Sequence, residues 1–492
     1  MLQITHAEIE KSGGWLAALT AKSAEFIRLV LGSCNASALA NEDKLRRTIV
    51  HTEPHLDEYL GELLFRACLQ TDGTRLEFVE QSLFSVDNDL ACKHLWPNAA
   101  IFGIGSVASG GADPLYLFDE HLEERGRAAP SSSQVVADKL LKTVPDAIGQ
   151  VLSEVNAGDK GGGSHPQHLG NAIKILNEAK FLFAKGATPK DDKRDTLPPF
   201  WKRAIVDACL AAVVYCLHNR IDLVHGADIQ KKFLQASQKR YAERSLNRQH
   251  PHFARGMQFI ASNSGGVDKV FKEATYTDQA GCQRPQLLIL PRICYACHQC
   301  WGEDVAEAIM MHLWETEVQK QLNFWTLQEE LGTVLSQKAS RFVTKVGTLR
   351  REILPSLQIN DGKGFRGVVP LWLISFSQGS GIFRPNQALL SYLNKHNHGL
   401  GIILLENPFI GTKTLFRGPS LPIDKWTTLV RLIQSKETSQ VLNGKSVWYD
   451  PSSTSVPADF LSNGNKAHQY MPRSGLDLDA LAILVRKNLF SQ

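Results

Sequence analysis

The chain has 492 residues, too many for one hydrophobic core, so two or three domains are expected. Apolar residues make up 43% and charged residues 21%, the balance of a soluble globular protein, and the formal net charge of +4 permits an anionic partner without demanding one. Nine cysteines in a chain of this length imply no disulfide framework.

No segment reads as a membrane span. The most apolar stretch, Ala204 to Leu217, is interrupted by Asp207 and is too short to cross a bilayer. The first eleven residues contain Glu8 and Glu10 and lack the apolar run of a signal peptide, so the expected location is the cytoplasm.

In chain order, Trp15 to Leu31 has helical spacing, with Leu16, Leu19, Phe26, Leu29 and Val30 on one period, and reads as an accessory helix. A polar patch, Asn41 to Arg47, follows. Thr48-Ile49-Val50 is a short β-branched run that leads through Pro54 into a helix from about Leu56 to Leu69. Leu76 to Val79 and Ala99 to Ile104 read as further extended pieces. Short apolar strands alternating with helices predict a parallel α/β sheet.

The glycine-rich stretch Asn156 to Ser164 reads as a loop, because three adjacent glycines break either regular element. From His168 to about Arg351 the period is largely helical, with a polar break at Pro189, Pro198 and Pro199. Strands return after Pro355: Val368 to Phe376, Gly401 to Leu405 and Ser446 to Tyr449. A helix from about Asp477 to Leu489 ends the chain. The domain boundaries that follow are an accessory segment at 1–47, a parallel-sheet domain at 48–225, a helical connecting region at 226–350 and a C-terminal α/β lobe at 351–492.

Four clusters of potential ligands occur in order. Two metals bridged by carboxylates and imidazoles can activate water and clamp a phosphate, and their ligands must converge from several strand ends. In sequence such ligands appear as scattered short groups. The first is His51-Thr52-Glu53-Pro54-His55-Leu56-Asp57-Glu58, at a strand-to-helix turn where sites collect in parallel sheets. The second is Asp113-Pro114 with Phe118-Asp119-Glu120-His121. The third is Ser131-Ser132-Ser133, opening a helix. The fourth is Asn156-Ala157-Gly158-Asp159-Lys160-Gly161.

This series resembles the DHH phosphoesterase superfamily, in the branch of metal-dependent exonucleases typified by the melanocyte-proliferating-gene protein. The resemblance covers residues 48 to 165 well and the last forty weakly, where Phe460 to Lys466 is similar to that branch's closing substrate loop. It implies a DHH-like parallel-sheet domain, Mn²⁺ or Mg²⁺ as cofactor, and 3′-to-5′ exonuclease action on single-stranded RNA or DNA in a cleft between the first and last domains. It assigns His51, His55, Asp57, Glu120 and Asp159 to metal and His121 to the phosphate or leaving group. Asp119 would orient its neighbours. Three departures stand out. Gly103, at the end of Ile101-Phe102-Gly103, replaces an acidic ligand, Glu120 replaces the middle histidine of the triplet, and Asn156 replaces an aspartate. Glu120 is a hard oxygen donor suited to Mn²⁺ or Mg²⁺.

Other groups carry competing readings. Cys294, Cys297 and Cys300, with Cys282, have the spacing of a zinc or iron–sulfur site, against the commoner reading of buried core cysteines. Lys231 to Arg255 is basic with Phe233, Tyr241 and Phe253 interleaved, which suits a single-stranded nucleic-acid track, against a solvated helix face. Gly411 to Gly418 reads as a short basic turn. Its Lys413 and Arg417, with Asn463, Asn465, Lys466 and His468, would cradle substrate phosphates, against a hairpin with chance charge. His165 and His168 follow the glycine loop, within reach of the metal site or inert. The expected function is therefore a metal-dependent phosphodiesterase acting on single-stranded nucleic acid or nucleotide. The helical region is a candidate surface for a second copy or a protein partner. The alternatives are a non-cleaving nucleotide-, nucleic-acid- or protein-binding chain on the same fold, and a small-molecule phosphatase.

Overall fold

In the computed structural model of the chain, the described residues are 4–32, 34–51, 54–69, 77–81, 98–103, 115–118, 131–159, 165–173, 198–223, 227–243, 248–265, 270, 272–335, 341–343, 347–358, 366–376, 401–407, 412–418, 421–439, 445–448, 450, 460–463 and 473–490. Contacts divide the chain near residue 322 into two units.

The first unit opens with helices α1 (His6–Ser12) and α2 (Trp15–Leu31), joined through Gly13 in the left-handed conformation. Thr5 caps α1, and Glu8 returns the bond to the Thr5 N–H. Glu8 also accepts from Lys22 Nζ at 2.8 Å, which ties α1 to α2. The Lys22 bond and the Thr5 N–H hold the Glu8 carboxyl at about 2, below its ordinary 4.5. A depressed carboxyl contributes stability that is present above 4.5 and lost as pH falls through about 2. Between those pH values, hydrogen-exchange protection of α1, corrected for intrinsic rates, is expected to fall in wild type and to be already low in Glu8→Gln.

The β-branched run Thr48-Ile49-Val50 forms the centre of β1 (Arg47–His51), where all three are buried. With β2 (Glu77–Gln81), β3 (Ala99–Phe102) and β4 (Tyr116–Phe118) it makes a wholly parallel sheet in the order β2-β1-β3-β4. β1 feeds α3 (Leu56–Cys68), which is buried at every position. Phe65 on α3 packs its ring 5.6 Å from Phe102 and 5.4 Å from Phe118, and those two rings stack at 5.1 Å. This aromatic group pins the ends of β3 and β4 beneath the helix.

Next come α4 (Ser132–Leu140), α5 (Asp146–Asp159) and α6 (Leu169–Ile173). Asn156 to Asp159 are therefore the last turn of α5 rather than the start of a loop. Val151, Leu152 and Val155 bury the face that carries the helix through to that turn. α7 (Pro198–His218) starts with two prolines, which a first turn tolerates because its N–H groups have no helical partner. Its apolar run from Ala204 to Val214 is buried on nearly all sides, as the central helix of the unit. Among the described residues no helix is long and apolar enough to cross a membrane.

Helices α8 (Ala227–Glu243) and α9 (Phe253–Gly265) follow. A hairpin of β5 (Thr275–Thr277) and β6 (Gln283–Pro285) interrupts a stretch expected to be largely helical. Then come α10 (Leu290–Trp301) and the long α11 (Glu303–Leu335).

The second unit is built on a six-stranded sheet ordered β14-β11-β10-β9-β8-β7. Its strands are β7 (Arg341–Val343), β8 (Gly347–Gln358), β9 (Arg366–Phe376), β10 (Ile402–Asn407), β11 (Thr412–Arg417) and β14 (Phe460–Asn463). Strand structure thus resumes at Arg341, ahead of Pro355. Pro355 lies inside β8, and the β8/β9 ladder shifts register between Leu354 and Leu357. A proline has no N–H for the ladder, so the strand continues past it through a bulge.

Cross-strand pairing sets Leu373, Leu404, Leu415 and Leu461 in one row across four strands. Trp426, Leu429 and Ile433 of α12 (Ile423–Lys436) and Leu481, Ala482 and Val485 of α13 (Leu478–Phe490) join that row in one core. The minor strands β12 (Thr438–Ser439) and β13 (Lys445–Ser446) pair beside it, so among the described residues 446–448 of the expected strand Ser446 to Tyr449 only Ser446 is in a strand.

Candidate functional site

The first and third ligand clusters meet at the C-terminal edge of the parallel sheet, where β1 ends at His51 and α3 begins. The Asp57 carboxylate is buried. Its Oδ2 accepts from Ser132 Oγ at 2.9 Å and from the Ser132 N–H at 3.3 Å, at the first residue of α4. A helix N-terminus carries unsatisfied N–H groups and partial positive charge, so a carboxylate is stabilised there.

The fourth cluster reaches the same place. Ser131, the N-cap of α4, donates its hydroxyl to Asn156 Oδ1 and accepts from the Gln134 N–H at 3.2 Å. Asn156 Nδ2 in turn donates to the Gln134 side-chain oxygen at 2.9 Å. Three clusters from positions 57, 131–132 and 156 thus form one buried hydrogen-bonded group.

Gly103 follows β3 with φ of +59°, a conformation that suits glycine. The Glu58 side chain lies where a side chain on residue 103 would go. A Cβ built on Gly103 would overlap Glu58 Oε1 and lie 2.7 Å from its Cγ and 2.8 Å from its Cδ. Glu58 is buried, and its Oε2 accepts from the His55 N–H at 2.6 Å, which caps α3. A carboxylate therefore stands over the end of β3 although the strand itself supplies none. The positive φ and the overlap together predict that Gly103→Ala lowers stability by about 2 kcal/mol. In a Glu58→Ala background that loss should shrink by roughly half, because the overlap is gone and the backbone penalty is not. Urea midpoints of the four proteins measure the coupling, and strict additivity would refute the overlap.

His55 is exposed. Asp113, Asp119, Glu120 and His121 lie outside the described residues, as do the side chains of His51 and Asp159. Among the described residues no group of three or more His, Cys, Asp or Glu side chains could hold a metal ion. Of the expected ligand set only the His55 and Asp57 side chains lie among the described residues, and Asp57 Oδ2 is held by Ser132.

His168 turns to a different partner. Its Nδ1 accepts from the Gly170 N–H at 3.1 Å, which leaves the proton on Nε2 to donate to Glu154 at 2.8 Å. His165 Nδ1 accepts from the Gln167 N–H at 3.2 Å, and partial burial lowers its pKa.

In the second unit Lys413 and Asn463 are direct register partners on β11 and β14. Lys413 Nζ donates to the Ser474 carbonyl at 3.0 Å, and Asn463 Oδ1 accepts from the Ser474 N–H at 2.7 Å. Arg417 donates to the Leu421 carbonyl at 2.8 Å. These bonds anchor neighbouring backbone. The basic stretch is a strand and not a turn, because the Leu404–Leu415–Leu461 row buries its centre. Asn465, Lys466 and His468 lie outside the described residues.

The remaining candidates take their simpler readings. Cys294, Cys297 and Cys300 are buried on α10, where Cys300 Sγ lies 4.0 Å from Cys216 Sγ on α7. Burial pushes the Cys294 thiol up, and among the described residues no group of three or more His, Cys, Asp or Glu side chains could hold a metal ion. Cys282 is exposed in the β5–β6 hairpin. On α8, Phe233 and Tyr241 point inward, and Tyr241 stacks on Phe253 at 5.5 Å, so neither ring is a platform for bases. Lys232 pairs with Glu303, and Arg240 lies 3.7 Å from Glu307. Lys232 and Arg240 of α8 thus pair with α11, and the α8 rings Phe233 and Tyr241 are buried.

Sequence reasoning missed Glu58 over Gly103 and the bond from Ser131 to Asn156. A buried-site signal was present in the first case: an acid one residue after Asp57, and a glycine where the strand ends.

No protein-family model and no curated protein sequence matches the chain. Two similar solved structures are of RecJ. The first is RecJ in complex with Mg²⁺ from Thermus thermophilus, at 11% identity and TM-score 0.32, covering 100% of this chain and 60% of that one. The second is exonuclease RecJ bound to manganese, at 11% identity and TM-score 0.30, covering 92% of this chain and 93% of that one. The chain thus spans 60% of the length of the Thermus protein.

Proposed function

We propose that the first unit is a phosphodiester-processing domain of the DHH type, a divalent-metal-dependent phosphodiesterase that trims single-stranded RNA or DNA from 3′ to 5′. The observation that carries this reading is the meeting of Asp57, Ser131, Ser132 and Asn156 in one buried group at the C-terminal edge of a parallel sheet. Unrelated short motifs have no reason to converge there, whereas a phosphoesterase motif set does. Polarity of trimming and the choice of Mn²⁺ or Mg²⁺ rest on the motif resemblance.

A second reading, recognition of nucleotide or nucleic acid without cleavage, is favoured by one specific observation. Asp57 and Glu58, the described carboxylates of the site, are engaged by Ser132 and by the His55 N–H.

The test uses the purified full chain with end-labelled single-stranded RNA and DNA, in Mn²⁺, Mg²⁺ or EDTA. Wild type is compared with Asp57→Ala and His121→Ala, with thermal unfolding run on each. Metal-dependent degradation lost in both folded variants supports the phosphodiesterase. Metal-independent binding of the same strands without cleavage supports the second reading. Neither binding nor cleavage sinks both.

A further inference from the structure

Charge is unevenly placed along the chain. Lys231 to Arg255 holds seven of the 54 Lys and Arg and one of the 50 Asp and Glu, a net +6, so the rest of the chain, with 47 bases against 49 acids, is −2. In the fold this stretch is most of α8, the turn after it and the start of α9. Phe233, Leu234, Ser237 and Tyr241 are buried, which leaves Lys231, Gln235 and Lys239, spaced by four, on the outward stripe of α8. Eight residues of helix set the two lysines about 12 Å apart along the axis. On one flank Lys232 and Arg240 are taken up by Glu303 and Glu307 of α11. The outward lysines are not. Lys239 has no ion pair among the described residues. Lys231 lies 3.8 Å from Asp228 with both side chains more than half exposed, a weak contact that a polyanion displaces. The turn after α8 is held in place. Tyr241 stacks on Phe253, and Gly256 comes so close to the Tyr241 hydroxyl that a Cβ there would lie 2.5 Å from it. Arg248, exposed in that turn, donates through Nε to the Ala242 carbonyl, which sets its guanidinium at the end of α8.

We propose that the outward face of α8 and the turn into α9 carry the phosphate backbone of single-stranded nucleic acid, through Lys231, Lys239 and Arg248. This track rests on the reading of the chain as a handler of single strands, and it holds whether or not the strand is cut. The charges stand in a row on a convex helix surface and do not converge on one point, which suits a series of phosphates and not a single phosphate group. Phe233 and Tyr241 are buried, so no base stacks on them, and binding is set by charge and is indifferent to sequence. A lipid surface is a poorer fit. The exposed large apolar side chains among the described residues are Leu29, Val144, Ile423 and Ile483, and none lies on α8 or α9 to enter a membrane.

Anisotropy of labelled single-stranded RNA and DNA homopolymers, with the full chain in EDTA and a series of NaCl concentrations, reads binding without cleavage. Lys231→Gln/Lys239→Gln/Arg248→Gln should bind about tenfold more weakly than wild type at low salt. Its slope of log affinity against log salt should fall by about 2, since each phosphate contact on a single strand contributes about 0.7. Lys11→Gln/Lys142→Gln/Lys436→Gln removes the same charge from exposed residues elsewhere and should keep the wild-type slope. Thermal unfolding checks each variant. If the Arg248 change disturbs the turn, Lys231→Gln/Lys239→Gln is read alone, with about 1.4 off the slope. Equal slopes in wild type and the track variant would overturn the proposal, as would a wild type that binds no strand. So would tighter binding to phosphatidylserine vesicles or polyglutamate than to the strands at the same salt. A parallel incubation in Mn²⁺ keeps the phosphodiesterase reading separate. Degradation with equal slopes removes the track and leaves the enzyme, and a reduced slope with no degradation does the reverse.

Discussion

Asp207→Ala is expected to destabilise the first unit by about 3–5 kcal/mol, the usual loss when one partner of a buried ion group is removed. Two helices each present an acid and a base four residues apart, Glu62 with Arg66 on α3 and Arg203 with Asp207 on α7. The cross-helix pairs are Arg66 with Asp207 and Arg203 with Glu62. All four are buried, and their charges cancel. Arg66 also donates to the Thr20 carbonyl at 3.1 Å, which draws α2 into the same junction. Burial pushes the Arg203 guanidinium down, and Asp207 is the largest influence holding it up. Without Asp207 two buried guanidinium groups share one carboxylate. Asp207→Asn keeps the volume but not the charge, so its loss should fall between wild type and alanine. Replacing all four residues by apolar ones of similar volume should cost less than the single alanine, because no charge is then left uncompensated. Urea unfolding at constant slope measures each step, and a loss under about 1 kcal/mol for Asp207→Ala would show that the group carries little.

That junction was not legible from spacing, although its surroundings were. β1 and α3 announce themselves because Thr48-Ile49-Val50 is β-branched and Leu56 to Leu69 repeats with helical period. The parallel sheet follows from their alternation, and the observed pairing agrees. Local signals failed where burial overrode them. The adjacent glycines at 161–163 put the start of the expected loop at Asn156, yet Val151 and Val155 hold the helix through Asp159, and at Gly158 a Cβ would meet nothing within 4 Å, so this open last turn tolerates glycine. Lys413 and Arg417 suggest a polar turn, yet Leu415 pairs with buried leucines on both neighbouring strands. At the site the residue types were readable and the partners were not. Nothing in the spacing of Asp57, Ser132 and Asn156 states that a carboxylate will cap the fourth helix. Nothing in Glu58 and Gly103, far apart in sequence, states that one fills the space of the other.

Glu154 carries the second large effect, because a single buried carboxylate satisfies three donors. Its Oε1 accepts from His168 Nε2 at 2.8 Å and from the Leu288 N–H at 3.1 Å, and its Oε2 from the Leu287 N–H at 2.5 Å. These bonds hold α5 against the segment that runs from the β5–β6 hairpin into α10. Gln286 lies in that segment and accepts from the His165 N–H at 3.0 Å, while Arg292 donates to its carbonyl. Glu154→Ala strands three buried donors at once. At about 1–3 kcal/mol for each donor left without a partner, the loss is expected to be roughly 3–5 kcal/mol after water has entered part of the gap. Glu154→Gln separates charge from geometry. Its one oxygen can still accept from His168 and Leu288, but its amide nitrogen then faces the Leu287 N–H, donor against donor. A loss of about 1–3 kcal/mol is expected for that single mismatch. Hydrogen exchange should place it at Leu287, with the Leu288 amide still protected. If Leu287 exchanges no faster in Glu154→Gln than in wild type, the carboxylate is not what holds this segment to α5.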